Sequence, residues 1–257
     1  MYRIGDFYEM FYEDAQTASA ELDLTLTGRD CGEEDRAPMC GVPYHSCEPY
    51  IGKLIEKGYK VAICEQMEDP KLAKNLVKRE VTRIITPGTL IETDLLNERA
   101  NNYLATIYFD GSSIGMCFSD ISTAFMTATA FRDRYSEEDV INELSTYSPR
   151  EIILSCAAKS LPKVAEHVKK RMKVLLTEAA TDYFDPDEAI ERAEKQFSTD
   201  STAGRPRSAV IAVGAALKYI AETQKTDISY LKKLSFYDSS AYLEMDLSTR
   251  RNLELCE

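Results

Sequence analysis

The chain is 257 residues long, enough for one large or two ordinary domains, and its shares of hydrophobic (44%) and charged (29%) residues are those of a globular protein. Its 43 acidic residues against 31 basic ones give a formal net charge of -12, which excludes wrapping of nucleic acid by bulk attraction and requires any DNA contact to be a local site. No apolar run reaches the roughly 18 residues of a membrane span, no secretory signal opens the chain, and seven cysteines without regular spacing predict reduced thiols in a cytoplasmic protein.

Residues 2–4 read as a short strand, and the spacing of Met10, Phe11, Ala15, Ala18 and Leu22 predicts a helix from about Phe7 to Leu22. "LTLTGR" alternates as a strand does. "SCEPYIGKLIEKG" reads as a helix with Ser46 as N-cap, Pro49 in its first turn and Gly58 as its stop. "KVAICEQ" and "VTRIIT" are strand-like, so the segment is α/β with a mixed sheet. The basic stretch "KLAKNLVKREVTR", with Lys71, Lys74, Lys78, Arg79 and Arg83 against Glu80, reads as a solvated face.

Pro87-Gly88 and the polar residues after it place a linker at 89–100, between a first domain at 1–88 and a second at 101–228. Three strand-like runs follow, "NYLATIYF", "IGMCFSDIS" and "AFMTATAF", with Asp110-Gly111-Ser112 as a hairpin turn between the first two. A helix capped at Ser136, the strand "EIILS", the helix "PKVAEHVKKRM", the strand "KVLLTE" and helices near 187–197 and 207–223 come next. Three antiparallel strands followed by αβαβα is the order of a ribonuclease-H-like fold. From about Ser229 an extended segment leads toward a helix in "STRRNLEL", read as the start of a further domain over 229–257. Both ends look cut, which predicts a fragment of a longer protein.

The stretch "GDFYEMFYEDA" carries the triplet Phe-Tyr-Glu twice. Read as a helix start, Asp6-x-x-Glu9 has the spacing of a capping box. Phe11 then lies a full turn inside and faces the core, whereas Phe7 lies in the first turn, free to project past the helix end. That end points unpaired amides outward, which suits phosphates, and an exposed aromatic there is a candidate wedge for a base.

"YRIGDFYEMFYEDA", "APMCGVPYH", "VAICEQMEDP", "VTRIITPGT" and "STRRNLEL", in this order and spacing, resemble the MutS family of DNA mismatch repair proteins over essentially the whole chain. The resemblance implies a mixed-sheet α/β mismatch-recognition domain, a ribonuclease-H-like connector domain and a truncated lever. It assigns Phe7 to insertion beside a mispaired base from the minor groove and Glu9 to a hydrogen bond with that base. Asp6, Arg29, Met39, Tyr44, His45 and Arg83 are the further DNA contacts it implies. It also implies mismatched double-stranded DNA and MutL as partners, a homodimer in the full-length protein but a monomeric fragment, and no catalysis by the fragment. No "GxxxxGK[ST]" loop is present, so the ATP and magnesium of the family's ATPase domain are not expected in this fragment.

Alternative readings attach to particular residues. Asp120, with Asp110 and Glu143 available, fits a metal-dependent nuclease in the second domain. Cys31, Cys40, His45 and Cys47 invite a zinc site but fit no CxxC pairing. A protein-interaction module is the third class, in which Phe7 would be a core residue.

Overall fold

The computed structural model describes residues 1–32, 36–68, 77–91, 101–132, 137–155, 157, 160–172 and 174–239. Lys71, Lys74, Ser136, most of the expected linker and the segment "STRRNLEL" lie outside these residues. The chain divides into two compact units, the first built chiefly from Met1–Pro87 and the second from Gly88 onward.

The first unit is a mixed six-stranded sheet. Its strands are β1 (Tyr2–Ile4), β2 (Phe7–Phe11), β3 (Thr27–Arg29), β4 (Ala37–Pro43), β5 (Val61–Gln66) and β6 (Arg79–Ile85), in the order β3-β4-β2-β1-β5-β6. Only the β1–β5 pairing is parallel. Helix α1 (Tyr12–Leu22) packs on β2 and β4 and against α2 (Glu48–Glu56), which packs on β5.

The expected helix from Phe7 is corrected: residues 7–11 are a strand, and the helix begins at Tyr12. Ile4 pairs with Phe7, so Gly5 and Asp6 form a two-residue hairpin turn. Gly5 has φ +57, the left-handed first turn position that favours glycine in such hairpins. Asp6 is therefore a turn residue, not a helix cap, and the capping box with Glu9 does not form. Tyr12, at φ +53, is where the chain leaves the strand for the helix.

Ser46 lies in a 3-10 turn, Tyr44–Ser46, and Cys47 rather than Ser46 precedes α2, without a side-chain cap. The periodicity of Ala15, Ala18 and Leu22 is helical as expected, and all three are buried.

The second unit is a six-stranded sheet in the order β11-β10-β7-β8-β9-β12. β7 (Tyr103–Phe109), β8 (Ser113–Asp120) and β9 (Phe125–Arg132) form an antiparallel meander. β10 (Glu151–Leu154) runs parallel to β7, and β11 (Leu175–Glu178) runs parallel to β10. The turn at Asp110 forms as its sequence predicts, with the carboxylate accepting the Ser112 and Ser113 amides at 2.8 Å.

Helices α3 (Glu137–Tyr147) and α4 (Pro162–His167) share one apolar cluster with Ile107, Met116 and Phe118. Helices α5 (Pro186–Phe197) and α7 (Arg207–Gln224) share another, on the opposite face, with Cys117, Met126 and Ile153; the four-residue α6 (Thr199–Thr202) lies between them in the chain. Coverage on both faces explains why β8 and β10 are nearly continuous apolar runs rather than alternating ones.

Near two of the expected boundaries the described residues pack within the second unit. Thr89 and Leu90 are buried rather than solvated linker. The Gly88 amide donates to Glu151 Oε2 at 3.2 Å, and a Cβ at Gly88 would sit 2.8 Å from the Glu151 Cβ, so the glycine serves close approach here rather than a break. The buried Glu151 also accepts from the Tyr219 hydroxyl at 2.6 Å. The extended segment after Ser229 forms β12 (Lys233–Phe236), which pairs with β9 as a sixth strand of the second sheet; the further domain expected over 229–257 falls largely outside the described residues.

Helix α7 approaches the sheet at Gly115, where a Cβ would lie 2.0 Å from the Ser208 carbonyl oxygen. Backbone on both sides leaves nothing flexible to give way. Gly115→Ala is therefore expected to lower unfolding stability by about 1–3 kcal/mol or more, read as a lower midpoint in urea denaturation. An unchanged midpoint contradicts the packing.

Candidate nucleic-acid interface

The interface starts from an alternation in β2. Tyr8 and Met10 point into the core beneath α1 and pair with the buried Val42 and Cys40 of β4. The Tyr8 hydroxyl donates to the Glu65 carboxylate, and burial, then that bond, pushes its phenol well above the usual range. Each fully buried side chain of this size contributes about 1.5–3 kcal/mol, and a one-residue slip would turn the whole set outward.

Phe7, Glu9 and Phe11 therefore share the other face, opposite Pro43, Gly41 and Met39. Phe7 is 45% exposed. Phe11 is half-buried, not sealed in the core as the helical reading expected; its ring lies 6.2 Å from that of the exposed Tyr2. The two phenylalanines differ in exposure but not in face, because residues 7, 9 and 11 of a strand line one side of the sheet.

Arg29, on β3, places Nη1 2.5 Å from Glu9 Oε2 and its guanidinium carbon 5.9 Å from the Phe11 ring centroid. Met39 is half-buried on β4, opposite both Phe11 and Thr27. Tyr44 and His45 are exposed in the 3-10 turn that follows β4, with rings 5.7 Å apart edge to face. The Tyr44 amide donates to the Asp6 carbonyl at 3.0 Å, tying that turn to the β1–β2 hairpin beside Phe7. The structure thus gathers Asp6, Phe7, Glu9, Arg29, Met39, Tyr44 and His45 around β2 and β4. Arg83 is not among them: it lies on β6, opposite Ile63, with β1 and β5 between it and β2.

Sequence reasoning missed Arg3 and Tyr2. The Arg3 guanidinium lies 3.2 Å from the Tyr44 ring centroid, a cation–π contact that orients the exposed ring, and Arg3 Nε donates to the Gly5 carbonyl at 2.6 Å. The available signal was a hairpin, "YRI" and "FYEMF" around Gly-Asp, which puts Tyr2 opposite Glu9 and Arg3 opposite Tyr8.

The alternative site readings find no constellation. Asp120 is 1% exposed and its Oδ1 accepts from the Ser122 hydroxyl at 2.6 Å. Asp110 holds its own turn, and Glu143 Oε2 accepts from the Tyr237 hydroxyl at 2.5 Å. Cys31, Cys40 and Cys47 are free thiols, exposed, buried and intermediate in turn. Among the described residues no group of three or more His, Cys, Asp or Glu side chains is placed to hold a metal ion. No helix among them is long and apolar enough to cross a membrane.

Comparison with known proteins gives the family. The family description "MutS domain I" matches residues 1–94 and "MutS domain II" matches residues 102–234. The chain belongs to the MutS family. Among its relatives are the DNA mismatch repair proteins MutS of Clostridium tetani (strain Massachusetts / E88), 44% identical over 257 residues, and Lachnoclostridium phytofermentans (strain ATCC 700394 / DSM 18823 / ISDg), 45% identical over 260 residues. The MutS of Caldicellulosiruptor bescii (strain ATCC BAA-1888 / DSM 6725 / KCTC 15123 / Z-1320) is 45% identical over 256 residues. Each alignment covers 100% of this chain but 28% of the relative, so the chain spans little more than a quarter of the MutS proteins it matches. The β2 site lies wholly within MutS domain I.

The alternation in β2 sets a measurable contrast. Met10→Ala is expected to cost about 2–5 kcal/mol of unfolding stability, as emptied core sites do, whereas Phe7→Ala should cost about 0.5 kcal/mol or less, as exposed sites do. Chemical denaturation of the two variants reads the difference. Equal losses contradict the face assignment.

Proposed function

We propose that this chain reads mispaired double-stranded DNA, with Phe7 stacking beside the mispaired base from the minor groove and Glu9 accepting a hydrogen bond from it. The observation that carries the proposal is the exposed Phe7 ring at the hairpin turn, on the same sheet face as the Glu9 carboxylate. A mispaired step is poorly stacked and easily kinked, so prying it open costs less than the few kcal/mol of a paired step. Aromatic stacking is worth about 1–3 kcal/mol to any base, and this tolerance suits a reader of many different mispairs. A carboxylate near phosphates is repelled unless a base donates to it, so Glu9 penalises correctly paired DNA.

Asp6, Arg29, Met39, Tyr44 and His45 form the surrounding contact surface in this reading. Arg83 contributes at most a separate backbone contact, because the sheet places it apart. The antiparallel β7–β8–β9 meander, with β10 and β11 added in parallel beside β7, supports a ribonuclease-H-like connector in the second unit. That connector relays state to MutL and to an ATPase domain of the whole protein, where ATP and magnesium act. The chain itself binds and transmits without catalysis, as a cytoplasmic monomer, and dimerisation belongs to the full-length protein.

The test is the ratio of affinities for one mispaired and one fully paired duplex. Phe7→Ala should weaken binding to the mispaired duplex by the roughly five- to hundredfold that corresponds to lost stacking, with little change on the paired duplex. Glu9→Ala should narrow the ratio by strengthening binding to the paired duplex. A ratio unchanged in both variants overturns the proposal.

A further inference from the structure

Glu9 and Arg29 come from strands that are not neighbours, since β4 runs between β2 and β3. On β4 the residue opposite Glu9 is Gly41 and the one opposite Arg29 is Ala37, so the two side chains meet diagonally, with the guanidinium carbon 5.9 Å from the Phe11 ring centroid. A Cβ at Gly41 would lie 3.4 Å from the Glu9 Cγ and 3.2 Å from the Tyr8 carbonyl oxygen, so the glycine leaves the Glu9 side chain room on this face. The Glu9 side chain is 16% exposed and that of Arg29 is 47% exposed. The carboxylate thus lies low in the sheet face while the guanidinium keeps an open side toward any ligand on that face.

We propose that Arg29 is a specificity-determining residue that exchanges partners: it stays on Glu9 over paired DNA and moves to a phosphate over mispaired DNA. This rests on the reading of Phe7 and Glu9 given above. The Arg29–Glu9 contact is itself a charge-assisted hydrogen bond, in the same range of strength as one from a base to the carboxylate, so exchange at Glu9 is nearly neutral and the phosphate gained by the freed guanidinium tips it. A base that donates to Glu9 therefore replaces Arg29 without leaving the carboxylate unpaired, and Arg29 is released. A correctly paired duplex offers Glu9 no spare donor, so the carboxylate keeps its counter-charge and the phosphate contact is not made. Guanidinium suits both partners, because its planar fork matches carboxylate and phosphate alike. The exchange adds one phosphate contact to mispaired complexes only.

The experiment measures the salt dependence of binding by the 257-residue chain to one paired and one mispaired duplex. Each phosphate contact contributes a slope of about 0.9 in log Kd against log salt. On the paired duplex, Glu9→Gln should steepen the slope by about that amount, because Arg29 is freed. Adding Arg29→Ala should remove the increment, and Arg29→Lys in the Glu9→Gln background should keep it. An absent increment, or one that survives Arg29→Ala, overturns the exchange. Phe7→Ala in the same series separates the two failures. A mispair preference that survives Phe7→Ala sinks the proposed function and this inference with it. A preference that collapses in Phe7→Ala, with no increment in Glu9→Gln, sinks the exchange alone. No measurable binding of either duplex at the lowest salt overturns both.

Discussion

Burial of Tyr8 and Met10 against Val42 and Cys40 is the constraint on which the rest of the first unit depends. It fixes the register between β2 and β4, and a fixed register leaves Phe7, Glu9 and Phe11 only the opposite face. Cys40 adds to the same layer, with its thiol 3.4 Å from the Ala15 carbonyl of α1. The residues that face solvent are thus held by residues that do not. Phe7, the proposed probe, is part of a strand anchored on both sides, by β1 and by β4, rather than a loop free to wander.

That rigidity bears on the proposed function, in which an acidic chain must address a polyanion. With a net charge of -12 the molecule as a whole repels DNA, so attraction has to be arranged locally. Around β2 the guanidinium groups of Arg3 and Arg29 are each held by specific contacts, one over the Tyr44 ring and one on Glu9. Charge here is positioned rather than accumulated. A surface organised in this way gains less from bulk attraction and more from geometry, which is the balance required to tell one base step from another.

The second sheet was largely legible in the sequence; the first was not at β2, read as a helix start, nor at β4, where Pro38, Gly41 and Pro43 read as the punctuation of a turn-rich loop but Ala37–Pro43 is a strand paired on both sides. β7, β8 and β10 are apolar runs of strand length, and α7 is a long apolar helix, so local pattern and tertiary role agree there. At residues 5–11 two local patterns competed. The four-residue repeat of Phe and the Asp6-x-x-Glu9 spacing mimic a helix start, while Gly5-Asp6 between two short apolar runs is a hairpin signal; tertiary pairing with β4 decides for the strand. Contacts such as Arg3 with Tyr44 and Glu9 with Arg29 join residues far apart in sequence and depend on strand order, which no local pattern encodes. The same holds for Gly88, whose tight approach to Glu151 makes a buried corner from what reads as a linker.

In the proposed function the ring at position 7 faces outward and meets the lesion while its strand neighbours Tyr8 and Met10 stay in the core. Hydroxyl-radical footprinting of the chain, free and with paired or mispaired duplex, tests it residue by residue. Phe7 should be oxidised in the free chain and protected by the mispaired duplex more than by the paired one, with Tyr8 and Met10 unreactive throughout. Oxidation of Tyr8 or Met10 as readily as Phe7, or equal protection of Phe7 by both duplexes, would contradict the account.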